Sequence, residues 1–225
     1  MKLKKARLLC IAVWLLVAGI FLTGCGETLR ETEGVVKSKD GSKTFQHAST
    51  TYEAVETGKK IGKLTYTGGA SDEVYEIEGL SPDEWLVTED GYVLYADGIH
   101  LPSLTEMNPQ AMQICAYRQS VHVLRTVRDA EILSDAVHAY AEGENLEYWG
   151  QEPLHSYKLR FVSDEYPALY FSVLYLEYGE DLVLDDVNYG RYFLRGIFDS
   201  RFVKVGDGMH RLMFGDDATE TEKGE

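Results

Sequence analysis

The sequence predicts an α+β fold, in which a small β module is followed by a helix packed on an antiparallel sheet. Three observations lead there. Short alternating apolar segments separated by turn residues occupy residues 51–107. One stretch, 129–142, carries apolar residues at helical spacing. After it, strand-like segments follow one another across short polar turns, which antiparallel neighbours permit and parallel neighbours do not.

The chain opens with a segment outside that fold. Lys2, Lys4, Lys5 and Arg7 make a cationic flank, and an apolar stretch runs from Leu8 to Leu22. That is shorter than the ~18–20 apolar residues of a spanning helix. It ends on Leu22-Thr23-Gly24-Cys25. These four residues resemble the lipobox of bacterial type II signal peptides, which reads Leu, a small or hydroxyl residue, Gly or Ala, then Cys. The resemblance implies that residues 1–24 are a signal peptide and that Cys25 receives a diacylglyceryl anchor. It also implies a lipoprotein held at the extracytoplasmic face of the cell membrane. Two acyl chains hold where one would leak, since each buried CH₂ contributes ~0.8 kcal/mol. Residues 25–50 have few large apolar groups and are expected to form a lipidated flexible tether.

In the module 51–107, Lys63–Thr67 and Val74–Ile77 alternate as strands. Ser81-Pro82-Asp83-Glu84 has the cap, proline and glutamate of one short helical turn. Trp85–Glu89 and Tyr92–Ala96 flank Asp90-Gly91, the strongest hairpin signal in the chain. The second module, 108–214, is joined to the first or shares one domain with it. Asn108-Pro109 reads as the cap and first residue of a short helix through Tyr117, and 120–127 as a strand. The helix from Asp129 places Ile132, Leu133, Ala136, Val137 and Tyr140 on one stripe and ends at Gly143. Strands are expected over 156–162, 169–178, 191–198 and 201–205, with 182–184 a short one and turns at 179–181 and 185–186. The acidic residues 215–225 are expected to be disordered.

The whole chain has a formal charge of −15. Residues 1–24 hold four basic residues and no acid, so a mature chain would carry 18 Lys and Arg against 37 Asp and Glu, or −19. Nucleic acid is excluded as a partner on that charge. Cationic peptides are attracted by it, although an acidic surface is also how an exposed protein stays soluble. Once Cys10 leaves and Cys25 is lipidated, Cys115 is alone and lies in the apolar run Met112–Tyr117, the setting of a packed, inert thiol.

No catalytic motif emerges. The six histidines are scattered without ligand spacing, so no metal site follows from them. Asp181, Asp185, Asp186 and Asn188 form the one oxygen-rich loop, a weak candidate for Ca²⁺ because the twelfth position from Asp186 is Ile197. A thiol nucleophile at Cys115 with His122 or His138 matches no hydrolase signature. The tyrosine-rich run 166–178 is apolar on both faces, which marks a buried central strand rather than a ligand platform. Trp85 and Trp149 read as core. The order of β module, helix and strands is similar to that of small uncharacterised lipoproteins of Gram-positive bacteria, a resemblance that implies no activity. The expectation is a binding or interaction module for an envelope protein or peptide, with no cofactor. The alternatives are a hydrolase of envelope material and an interceptor of cationic antimicrobial peptides.

Overall fold

The computed structural model describes residues 26–49, 51–116, 122–147, 150–184, 186–197 and 200–214. Residues 1–25, where the signal peptide and the lipidated Cys25 are expected, lie outside them, as do Trp149, Asp185 and the acidic tail 215–225. The fold is mostly β, not α+β: among the described residues 51% lie in strands and 11% in helix.

Seven strands close a barrel in the order β1-β2-β3-β8-β7-β6-β5. They are β1 (Glu27–Thr32), β2 (Val35–Ser38), β3 (Thr44–His47), β5 (Thr57–Thr65), β6 (Ser71–Ile77), β7 (Trp85–Thr88) and β8 (Val93–Ala96). β4 (Tyr52–Ala54) leaves the barrel to pair with the second sheet. The expected tether is therefore corrected: 27–47 supplies three barrel strands. Each strand sends one fully buried residue inward, namely Leu29, Val36, Phe45, Leu64, Val74, Leu86 and Leu94. That single ring fills a small barrel, as the geometry of few strands requires. Closure depends on Gly62, which pairs with Glu27 across the parallel β1–β5 seam. A Cβ there would stand 1.7 Å from the Glu27 carbonyl oxygen. Closing the ring also hides the strand edges that an open sheet exposes.

The second sheet runs β10-β9-β11-β12-β13-β14, with β4 added beside β12. Its strands are β9 (Ala111–Ala116), β10 (His122–Val127), β11 (His155–Val162), β12 (Leu169–Leu184), β13 (Val187–Gly196) and β14 (Phe202–Lys204). The helix expected over 108–117 is instead β9. Met112, Ile114 and Cys115 are buried there between β10 and β11, and pairing on both sides overrides the Asn-Pro start signal. The turn expected at 179–181 is a register shift within one long strand, and the chain reverses only at Asp186, with φ 65°.

Helix α1 (Ala130–Glu142) forms where its stripe predicts. Asp129 accepts the amides of Glu131 and Ile132 at 3.0 and 3.1 Å, and Leu133, Ala136 and Tyr140 are buried. Gly143 ends it by close approach rather than by left-handed backbone, since a Cβ would lie 2.3 Å from the Ala139 oxygen. The Arg201 guanidinium then donates to the Tyr140, Ala141 and Gly143 carbonyls. Helix α2 (Asp207–Phe214) has no sequence signal of its own and is held by burial of Met209, His210 and Leu212.

The outer wall of β6–β8 is also buried. Ile77, Trp85, Val87 and Val93 join Leu159, Phe161, Phe171 and Tyr175 of the second sheet in one hydrophobic cluster. β7 is consequently buried at all four residues, on both faces. Barrel and sheet thus share a core, which fixes the junction where the site lies.

Candidate functional site

The junction opens into a cleft of about 330 Å³. Two segments of the barrel side form its mouth: the turn Asp90-Gly91-Tyr92 between β7 and β8, and residues 48–53 leading from β3 into β4. Lys158 of β11 and Ile197, just past β13, complete it. The Asp90-Gly91 signal produces a tight turn with Gly91 at φ 88°, a conformation that glycine adopts without a Cβ penalty. Val87 and Val93 pair across that turn, and it projects Tyr92 to 49% exposure.

The floor is ionic. Lys158 and Arg160 alternate with Tyr157, Leu159 and Phe161, so both cations share one face of β11. β4 pairs with the opposite edge of β12, and Glu53, aligned with Tyr170, reaches across β12 to both of them. Glu53 Oε1 accepts from Lys158 Nζ. Oε2 accepts from Arg160 Nε at 2.8 Å and Nη2 at 2.6 Å. The three side chains are only 17%, 13% and 12% exposed. Arg160 also lies over the Tyr170 ring at 5.9 Å. Ser172, aligned with Arg160, leaves room for this triad, and its buried Oγ has no hydrogen-bond partner among the described residues.

Cys115 pairs with Lys158 in register, so the lone thiol stands beside the cations and not beside a histidine. It is fully buried, and burial pushes its pKa up. The neighbouring Arg160 and Lys158 act against that rise and Glu53 with it. A protonated, enclosed thiol is a poor nucleophile.

The other residues singled out from sequence do not meet here. Asp181 is held by the Asn188 amide at 2.7 Å and by Arg191 at 2.9 Å. Asn188 Oδ1 accepts the Gly190 amide. Asp186 is the exposed turn residue. That loop satisfies its own oxygens, and among the described residues no group of three His, Cys, Asp or Glu is arranged to hold a metal ion. Four of the six histidines go to separate carboxylates: His47 to Glu31, His100 to Glu106, His138 to Glu142 and His210 to Glu177. The last pair is buried, with His210 stacked on Tyr192 at 4.8 Å, and it pins α2 to the sheet. The tyrosine-rich run is the centre of β12, paired on both edges.

Glu53, Tyr92, Lys158 and Arg160 were not reached by sequence reasoning. One signal existed: two cations two residues apart in an apolar strand must share a face. Their partner, 105 residues away, had none. Comparison with known proteins adds no relative: no family model, no curated protein and no solved structure matches this chain.

Proposed function

We propose that the protein is an extracytoplasmic lipoprotein, anchored by lipid on Cys25, that works as a non-catalytic binding module and presents the junction cleft away from the membrane. The observation that carries this reading is the polarity of the barrel. β1 starts at Glu27, two residues past Cys25, so an anchor there sets one barrel end at the headgroups with no tether between. From that end β1 rises to Thr32, and β3 rises alongside to His47. The pairing of His47 with Leu94 then puts the turn 90–92 at the opposite end. Five residues of rise separate the two levels, roughly 17 Å at ~3.4 Å per residue. The barrel is in this sense a rigid pedestal with its ligand site on top.

The address is tested by Cys25→Ala, which is expected to abolish lipid labelling and release the protein from the membrane fraction. Unchanged retention would overturn it. The cleft is tested by titrating a chemically mixed fragment set by NMR. Bound fragments are expected to shift the amides of 48–53 and 90–93, and hits that all fall elsewhere would remove the cleft as the site. The orientation is tested on vesicles with single fluorophores at Asp40 and Asp90. Asp40, beside Ser38 and Ser42 at the anchored end, is expected to be quenched by a headgroup quencher and Asp90 to be spared.

A further inference from the structure

We propose that the barrel mouth on the side of the 90–92 turn binds a small alkylammonium ion, with its N–H groups on the Asp72 carboxylate and its positive charge against the Tyr66 and Tyr92 rings. This is a second site. It adjoins the junction cleft only through the 90–92 turn and does not rest on the cleft being one.

Strand alternation builds the site. The ring of buried residues from Leu29 to Leu94 fills the middle of the barrel. Two residues further toward that mouth, on the same inward side, stand Glu31, His47, Tyr66, Asp72, Thr88 and Tyr92. Contacts join them into one layer. His47 Nε2 lies 3.5 Å from Glu31 Oε2, and its ring meets Tyr92 edge-on at 6.3 Å. Thr88 Oγ1 accepts the Tyr92 amide at 3.1 Å, and Asp72 Oδ2 accepts the Asp90 amide at 3.2 Å. Tyr66 packs on the barrel core. A small barrel fills its middle with side chains, so a ligand is taken at its mouth.

That layer is acidic and aromatic. Asp72 is 7% exposed. Its Oδ1 accepts no hydrogen bond, and neither of its oxygens meets a cation, among the described residues. A buried carboxylate in that state is costly, and a bound cation that donates to it relieves the cost. Asp90, on the exposed turn, also has no cation partner among the described residues, and Glu31 has only His47. Burial pushes the Tyr66 pKa up to about 12, and the charges that add to the rise, Asp72, Asp90 and Glu31, are all carboxylates. A cation is therefore the ion this mouth attracts, and the chain's formal charge of −15 adds to the pull. The open Oδ1 selects a cation with N–H groups to donate, and the two rings favour one on an apolar stem. Tyr92 is half-exposed, so its ring is reachable from solvent. No three His, Cys, Asp or Glu side chains among the described residues are arranged to hold a metal ion, which leaves the organic cation.

The test uses the full chain in mild detergent, with butylammonium, neutral 1-butanol of the same length, and Ca²⁺ as probes, followed by amide shifts in NMR. Butylammonium is expected to shift Glu31, Tyr66, Asp72 and Tyr92 saturably, and to bind about tenfold or more tightly than butanol. Asp72→Asn keeps an acceptor for the Asp90 amide and is expected to weaken butylammonium about tenfold. Tyr92→Leu is expected to weaken it about threefold. Asp40→Asn, the same charge change at the other end of the barrel, is expected to leave it within about twofold. Should Asp72→Asn unfold the chain, Tyr92→Leu and the butylammonium–butanol ratio decide on their own. Equal binding of butanol overturns the cation. Tighter binding of Ca²⁺ at the same amides overturns the organic ligand. Equal weakening by Asp40→Asn overturns the site and leaves only diffuse attraction to an acidic chain. Shifts confined to 48–53 put the cation in the cleft and overturn the mouth, and no saturable shift overturns the inference. The mixed fragment titration and the Cys25→Ala fractionation judge the broader reading separately.

Discussion

Glu53→Gln removes the carboxylate that Lys158 and Arg160 share while keeping its shape. Lys158 and Arg160 are then left 13% and 12% exposed beside a neutral amide. Breaking a buried pair by deleting one partner costs about 3–5 kcal/mol, because the surviving charge stays desolvated. The cleft admits water at its mouth, so the lower figure applies, about 3 kcal/mol. In a folded unit of this size each kcal/mol moves Tm by about 2–4 °C, which gives a fall of ~6–12 °C. The measurement is urea and thermal unfolding followed by circular dichroism and tryptophan emission. A companion triple variant, Glu53→Gln with Lys158→Met and Arg160→Met, removes all three charges and is expected to recover most of the loss. A cost for Glu53→Gln below ~1 kcal/mol would refute the reasoning. It would mean that the triad behaves as a hydrated surface pair.

Four further outcomes follow from single sites. Gly62→Ala forces a methyl into the Glu27 carbonyl and is expected to cost ~3 kcal/mol or more and to open the β1–β5 seam, read as lost amide protection in both strands. Ser172→Ala deletes a buried hydroxyl that has no partner among the described residues, so it is expected to be neutral or to stabilise by up to ~1 kcal/mol, and a loss beyond ~1 kcal/mol would contradict that. The Tyr52 hydroxyl donates to the Pro102 carbonyl at 2.7 Å, and burial pushes its pKa up from 10.0 to about 12. Its proton is therefore held more tightly in the folded chain. The stability it contributes is complete below pH 10 and is lost as pH rises toward 12, a slope that Tyr52→Phe should reduce in alkaline unfolding curves. Cys115, buried and with its pKa raised, is expected to resist a thiol reagent at neutral pH until urea unfolds the chain; rapid labelling of the folded protein would contradict its enclosure.

Elements that depend on near neighbours were legible in the sequence. α1 has its cap at Asp129, its stripe and its glycine stop within fifteen residues. The Asp90-Gly91 turn is specified by two residues, and the centre of β12 by its apolar run on both faces. Cys115 was placed in an apolar setting by its immediate flanks. The first three barrel strands were not legible, because each carries a single buried apolar residue among polar or partly exposed ones: Leu29, Val36 and Phe45. A lone inward residue per short strand gives no period to detect, so 25–50 looked like a tether. β9 was misread for the opposite reason. Its Asn108-Pro109 start is a genuine helix signal, and sheet pairing on both sides overruled it.

The sequence alone determined the parts whose free energy is local: the capped helix, the tight hairpin turn, the long apolar strand and the acidic balance of the surface. Only the tertiary structure decided that seven strands close on one ring of buried residues, and that the barrel wall shares a core with a second sheet. It alone brought Glu53 to Lys158 and Arg160 across β12. The physical reason is range. Capping, helical periodicity and turn conformation act over a few residues. Barrel closure and charge burial are settled between residues tens of positions apart, 105 for Glu53 and Lys158, and no local pattern records who the partner will be.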